Sequence, residues 1–334
     1  MLNPHRVGDT ETGVASARTI LLRNRTASTR QENRRSLERG VSLMGVHMAL
    51  ILAVLSSLCF GIALVTGRIG LRTLDTLSGV AISIPTAMLI FVAVSPFVLD
   101  LKGFNLPAVL VFAAVGIFFP AVVTMITFRS NVLLGPTVTG AVSGTSPLFA
   151  LVAVHLFLGE HVPTEAVVAS IAVFAGVGLL SRGRHVARPG SIGWAIFWPI
   201  SGALVRGLAQ VAAKAGMLLW PSPFVASLIG YSLSSATVIG TRWFTQSGKP
   251  KFTKQNIFWF ALTGVLNGAA VLLMYGALSV APVSLVAPVV ASYPLVTALI
   301  GSLVLKEESL TLRVTAGATL TVAAIVYLMI SVRA

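Results

Sequence analysis

Ser146 to Glu160 reads SPLFALVAVHLFLGE, and Tyr293 to Glu307 reads YPLVTALIGSLVLKE. Each is an apolar run with a proline near its start, Pro147 or Pro294, and a carboxylate at its end, Glu160 or Glu307. The two lie 147 residues apart, and the match extends beyond them. Gly140 and Gly144 fall on Ala287 and Ala291, Leu156 on Leu303, Leu158 on Leu305 and Thr164 on Thr311. At an offset of 146, Gly61 falls on Gly207, Ala63 on Ala209, Val65 on Val211, Arg68 on Lys214 and Gly70 on Gly216. Leu, Ala, Val and Gly agree by chance between many apolar segments. Agreement at proline, glutamate and the small-residue pairs together points to a repeat.

The composition says where such segments belong. The 334 residues are 55% hydrophobic and 10% charged, with a mean hydropathy of +0.90. A water-facing surface needs about 25% charged residues, so the solvent is a bilayer. The net charge of +14 would suggest nucleic acid on a soluble protein. Here no basic face with interleaved aromatics occurs, and the charges sit in a tail and in short loops. The single cysteine, Cys59, permits no internal disulfide and no CxxC metal site.

Residues 1–43 hold eight arginines and four acids among Ser, Thr and Asn, and read as a disordered basic arm. The charged region is too long for a cleavable signal peptide, and its acids argue against a transit peptide. A translation start at Met44 or Met48 is an open alternative. From there ten apolar spans are predicted, at about 45–66, 77–99, 107–128, 136–158, 164–181, 192–215, 223–243, 257–278, 283–305 and 312–331. Period-two alternation is absent, which excludes a barrel. The fold class is therefore an all-α polytopic membrane protein, with repeats over 44–181 and 182–334. Five spans per repeat turn the second copy upside down relative to the first. Inverted repeats mark secondary transporters, whose site lies near the midplane between the halves.

The repeated positions have a physical logic. Gly140 with Gly144, and Ala287 with Ala291, put small residues on one helical face and allow close helix approach. Pro147 and Pro294 each remove a donor mid-helix and free the carbonyl of Ser143 or Val290. Such faces should meet protein or a wet cavity. Glu160 and Glu307 end their spans just before Thr164 and Thr311, plausible N-caps, so a helix dipole would stabilise them. A coupling or gating role is the alternative.

These residues resemble the drug/metabolite transporter superfamily, specifically its EamA-type ten-helix permeases. Members carry two repeats, each ending P-L, seven residues, then L-x-L-G-E. Pro147 to Glu160 matches this, and Pro294 to Glu307 does so with Lys306 in place of the glycine. Cys59-Phe60-Gly61 followed by Arg68 resembles the start of such repeats. The likeness covers about residues 44–334. It implies a bundle with a central cavity between the repeats, peripheral fifth and tenth helices, and alternating access across the plasma (inner) membrane with both termini cytoplasmic.

Ionisable groups within spans are the first functional candidates. Arg206 lies mid-span and could bind an anionic group or pair with freed carbonyls. Arg68 and Lys214 lie nearer span ends, where snorkelling to the interface is expected. Asn267, Thr145, Ser146, Ser292 and Tyr293 are polar groups that either line a cavity or join helices. No acid lies mid-span, which disfavours a proton-exchanging exporter of lipophilic cations and favours a neutral, zwitterionic or anionic metabolite. His155 and His47 are the candidates for a coupling proton, although both lie near span ends. Positive charges number eleven on the tail's side and twelve on the other, so the positive-inside rule does not orient the chain. No catalytic set, metal cluster, cofactor motif or phosphate loop occurs. A permease, not an enzyme, is expected, with a small metabolite and the lipid bilayer as partners and no nucleic acid. A non-transporting scaffold or a lipid-handling membrane protein is the alternative.

Overall fold

The computed structural model describes residues 44–181, 192–245, 252–304 and 312–331, and among these every regular element is a helix. The arm 1–43, Glu307 and Thr311 lie outside the described residues. In chain order the helices are α1 (Met44–Gly70), α2 (Thr76–Val98), α3 (Leu106–Phe118), α4 (Ala121–Ser143), α5 (Ser146–Leu158), α6 (Thr164–Ser181), α7 (Ile192–Ala195), α8 (Phe197–Leu219), α9 (Pro223–Thr245), α10 (Lys254–Val280), α11 (Val283–Val290), α12 (Tyr293–Val304) and α13 (Leu312–Ser331). They make ten crossings. Seven segments are long and apolar enough to span a membrane by themselves. The other three crossings are α6, α7 with α8, and α13. The crossing built on α8 carries Arg206, Gln210 and Lys214.

The breaks within crossings have identifiable causes. Pro120 disfavours helical geometry at the residue before it, and Phe119 is extended at φ −130, ψ 123, which ends α3. Pro136 acts in the same way on Gly135, which turns at φ 79 and ψ 167 inside α4. Glycine accepts that conformation without a Cβ penalty. The loop expected over 129–135 therefore shrinks to this one residue, and the helix runs on past Arg129, which points outward. Pro147 and Pro294 do not interrupt helices as expected. The chain turns just before each, and the proline stands second in a new helix, α5 or α12. In a first turn the missing N–H costs nothing.

The repeat recurs in the hydrogen bonds at these turns. Gly144 N donates to Gly140 O at 2.9 Å, and Ala291 N to Ala287 O at 3.0 Å. Thr145 N donates to Val142 O at 3.1 Å, and Ser292 N to Val289 O at 3.2 Å. The hydroxyls of Thr145 and Ser292 bond the same two carbonyls, at 2.8 and 2.7 Å. The caps correspond too. Asp75 accepts from Ser78 N before α2, and Ser222 Oγ accepts from Val225 N before α9.

The two halves meet along glycines. Fourteen of the described glycines have a neighbour within 4 Å of where a Cβ would stand, and each of them has one from the other half. At Gly61 of α1, a Cβ would lie 2.8 Å from Tyr293 O and 2.5 Å from Val296 Cβ of α12. At Gly207 of α8, it would lie 2.8 Å from Ser146 O and 2.9 Å from Phe149 Cβ of α5. These contacts exchange under the repeat offset, as a pseudo-twofold between inverted halves requires. Gly116 of α3 approaches Gly230 of α9, and Gly264 of α10 approaches Ser83 of α2. Gly140 packs on Pro294, and Ala291 joins a small buried cluster with Ala141 and Ala298. At the periphery α6 and α13 clasp each other, with Gly176 against Thr321 and Gly317.

Candidate functional site

Arg206 reaches the middle of the bundle because α8 has two faces. Gly202, Ala203, Arg206, Gly207, Gln210 and Ala213 are buried together, and Leu204 and Leu208 face outward. Gly207 lets this buried face press against the backbone of α5, so the side chain one residue earlier has no route to lipid. Arg206 is only 8% exposed. Its guanidinium carbon lies 5.2 Å from the ring centre of Phe60 and 5.4 Å from that of Tyr293. The two rings are tilted by 54° to each other. Phe60 is the repeat mate of Arg206, so one half supplies a ring where the other supplies a charge.

These three side chains line a small central cavity of about 30 Å³. The Phe119–Pro120 break contributes part of the wall, with Thr124 and Thr127 one and two turns further along α4. Tyr231 of α9 and Asn267 of α10 also line it. None of the lining residues is an aspartate or glutamate. Arg206 Nε and the Tyr231 hydroxyl are buried with no hydrogen-bond partner. The charge is thus met by two ring faces, worth about 0.5–2 kcal/mol each, and by no carboxylate. Burying a charge without an ion pair is costly, and an arriving anion would relieve that cost.

The structure brings Arg206, Asn267 and Tyr293 into one cavity. It does not bring Thr145, Ser146 or Ser292 there. The hydroxyls of Thr145 and Ser292 hold the helix turns, Ser292 also meets Ser57 Oγ at 2.9 Å, and Ser146 lies in the seam with Gly207. Tyr231 and the ring of Phe60 line the cavity, although nothing in the sequence singles them out as site groups. Gln210, 2% exposed one turn beyond Arg206, lies outside the cavity lining. A tyrosine within a span carries no signal of its own, because packing alone accounts for most of them.

At one end of the bundle the charges do something other than expected. Thr164 is the first residue of α6 rather than its cap. Glu160 serves a different helix, α11 of the other half. Its carboxylate accepts from Ser284 N at 3.1 Å, Ser284 Oγ at 2.7 Å and Val283 N at 3.4 Å. Lys214 does not snorkel. Its ammonium donates to Leu278 O at 2.7 Å and Ala281 O at 2.9 Å, at the carbonyl end of α10. Anion and cation therefore sit on the matching dipole ends of consecutive helices. Arg68, the mate of Lys214, donates to Asn131 O at 2.9 Å. Asn131 is itself the mate of Leu278, so the same anchor recurs at the opposite end. His155 is exposed beside the Glu160 carbonyl, and His47 lies in the first turn of α1. Neither lines the cavity.

Comparison with known proteins agrees with this architecture. A family model for the EamA-like transporter family matches residues 47–182 and again 193–330. No curated protein matches the chain. A solved structure described only as "Crystal structure of protein" superimposes with a TM-score of 0.67 at 15% identity. The match covers 88% of this chain and 98% of that one, and at this identity it speaks for the fold alone. With two family matches covering most of its length and ten crossings in two inverted halves, the chain belongs to the EamA-like transporter family.

Proposed function

We propose that the protein is a secondary active transporter of a small solute carrying an anionic group. It works by alternating access between its two halves, in the plasma (inner) membrane, with both termini on the cytoplasmic side. The observation that supports this reading is Arg206, a buried guanidinium in a cavity lined by both repeats, with ring faces around it and no acid in the lining. A neutral solute would leave that charge unmet, and a cation would be repelled by it. The free space of about 30 Å³ admits roughly one water, so a metabolite enters only when the halves part. The glycine seams suit such a motion, because they present smooth backbone surfaces between rigid helices. No catalytic role is assigned to any residue.

The test is comparative metabolite profiling, inside and outside cells with and without the protein, repeated with Arg206→Ala. An anionic or zwitterionic solute is expected to redistribute with the wild-type protein and to lose at least nine-tenths of that redistribution with the variant. Unchanged redistribution of every solute would sink the reading.

A further inference from the structure

The cavity's lining specifies its solute more closely than "anionic". We propose that the site takes a ring-bearing monocarboxylate without an ammonium group, holding the carboxylate between Arg206 and the Tyr231 hydroxyl. This rests on the transport reading of the same cavity and narrows its substrate class.

Four observations carry it. First, the unmet groups include two donors. Arg206 Nε and the Tyr231 hydroxyl are both buried without partners, on residues 8% and 1% exposed. Guanidinium can only donate, and an ionised carboxylate only accepts, so one carboxylate can satisfy both. Second, the charge balance stops at one. A single guanidinium is neutralised by a monoanion, while a dianion would leave a net negative charge among rings.

Third, the lining offers an ammonium no counter-charge. No acid is present. The faces of Phe60 and Tyr293, which could otherwise hold a cation, already hold Arg206. An amino acid would bring its positive group beside the guanidinium with no counter-charge. Fourth, four aromatic side chains, Phe60, Phe119, Phe128 and Tyr293, stand in the wall with aliphatic groups, alongside Thr124, Thr127 and Asn267. A planar ring finds offset-stacking and edge contacts there. In the closed form these aromatic side chains fill the cavity themselves. As the halves part, the solute's ring takes contacts that they now make with one another.

The test uses the full chain, purified and reconstituted, with a matched set of probes. Phenylacetate has ring and carboxylate, phenylalanine adds the ammonium, 2-phenylethanol lacks the charge, phenylmalonate carries two charges and acetate lacks the ring. Binding is read as thermal stabilisation in detergent, and transport as exchange of labelled phenylacetate above protein-free vesicles. Phenylacetate is expected to bind at least tenfold more tightly than each of the other four. Tyr231→Phe should weaken phenylacetate about tenfold and leave the unliganded melting temperature near wild type. Arg206→Lys, which keeps the charge but not the planar fork, should weaken it further.

The proposal is overturned if phenylalanine or 2-phenylethanol matches phenylacetate, if Tyr231→Phe binds phenylacetate like wild type, or if none of the five probes stabilises the protein. The broader reading fails separately. Phenylacetate that binds but never exchanges would refute transport and leave the substrate class standing. Arg206-dependent exchange of a non-carboxylate anion would do the reverse.

Discussion

The two halves of this molecule agree in backbone and differ in charge. The helix turns at Thr145 and Ser292, the glycine contacts at Gly61 and Gly207 and the anchors at Arg68 and Lys214 recur at the repeat spacing. At the centre the correspondence stops. Phe60 faces Arg206, and Ser146 is matched by Tyr293. Backbone devices must be shared for two inverted halves to pack on one another. The lining of the cavity is under no such constraint, so its residues are free to diverge. Where repeat mates carry different chemistry in the cavity, function is the first explanation to test.

The comparison breaks most readily at the glycine seam. Gly61→Ala and Gly207→Ala each place a methyl group inside van der Waals distance of the opposing backbone, at equivalent points. Each should cost about 1–3 kcal/mol, read as a lowered melting temperature in detergent. Gly240→Ala, where a Cβ meets nothing within 4 Å, should be neutral or slightly stabilising. If Gly61→Ala is tolerated and Gly207→Ala is not, the symmetry of the scaffold is only apparent.

A smaller effect is expected at the Glu160 bridge. Glu160→Gln keeps the shape but removes the charge that α11's first amides meet, for a loss of about 1 kcal/mol. Glu165→Gln, in the first turn of α6 within its own half, should shift the melting temperature less. Equal shifts would mean that the inter-half bridge has no special weight.

The smallest effect separates two caps that the repeat makes equivalent. Asp75 and Ser222 cap α2 and α9 in the same way, but only Asp75 titrates. Partial burial raises its pKa, while the Ser78 hydrogen bonds and the Arg242 charge lower it by more, leaving it below the usual carboxylate value. A depressed pKa means that the cap's contribution is fully present above the unfolded value of about 3.9 and is lost as pH falls through the folded value. Melting temperatures of wild type and Asp75→Asn should therefore differ at pH 6 and converge below about pH 4. Ser222→Ala should differ from wild type by the same amount at both.

Much of this was legible in the sequence, for physical reasons. Lipid exposure demands long apolar runs, so ten crossings could be counted from hydropathy. Inverted duplication leaves prolines, glutamates and small-residue pairs at one spacing. A guanidinium mid-span is costly enough that Arg206 stood out. Partner choice was not legible. Glu160 precedes Thr164 by four residues, yet it bonds Ser284, 124 residues away. Pro147 announces a missing donor but not that the chain has already turned. The break predicted between the spans ending at 128 and beginning at 136 proved to be a continuing helix, with Arg129 exposed on it. Tyr231 became visible only when α9 brought it to the cavity that Arg206 lines.

The seam has a consequence for how the chain is made. Thr297 bonds Gly61 O across 236 residues, and the glycine faces of the first half wait on helices of the second. At about 5–20 residues per second, a ribosome that has finished α6 needs on the order of ten seconds or more to deliver those partners. During that interval the glycine faces of the first half have no partner from the second. Nascent-chain quality control therefore meets this protein as a half-built object, and insertion machinery or lipid that covers the glycine faces should matter more to its yield than the final stability of the assembled bundle.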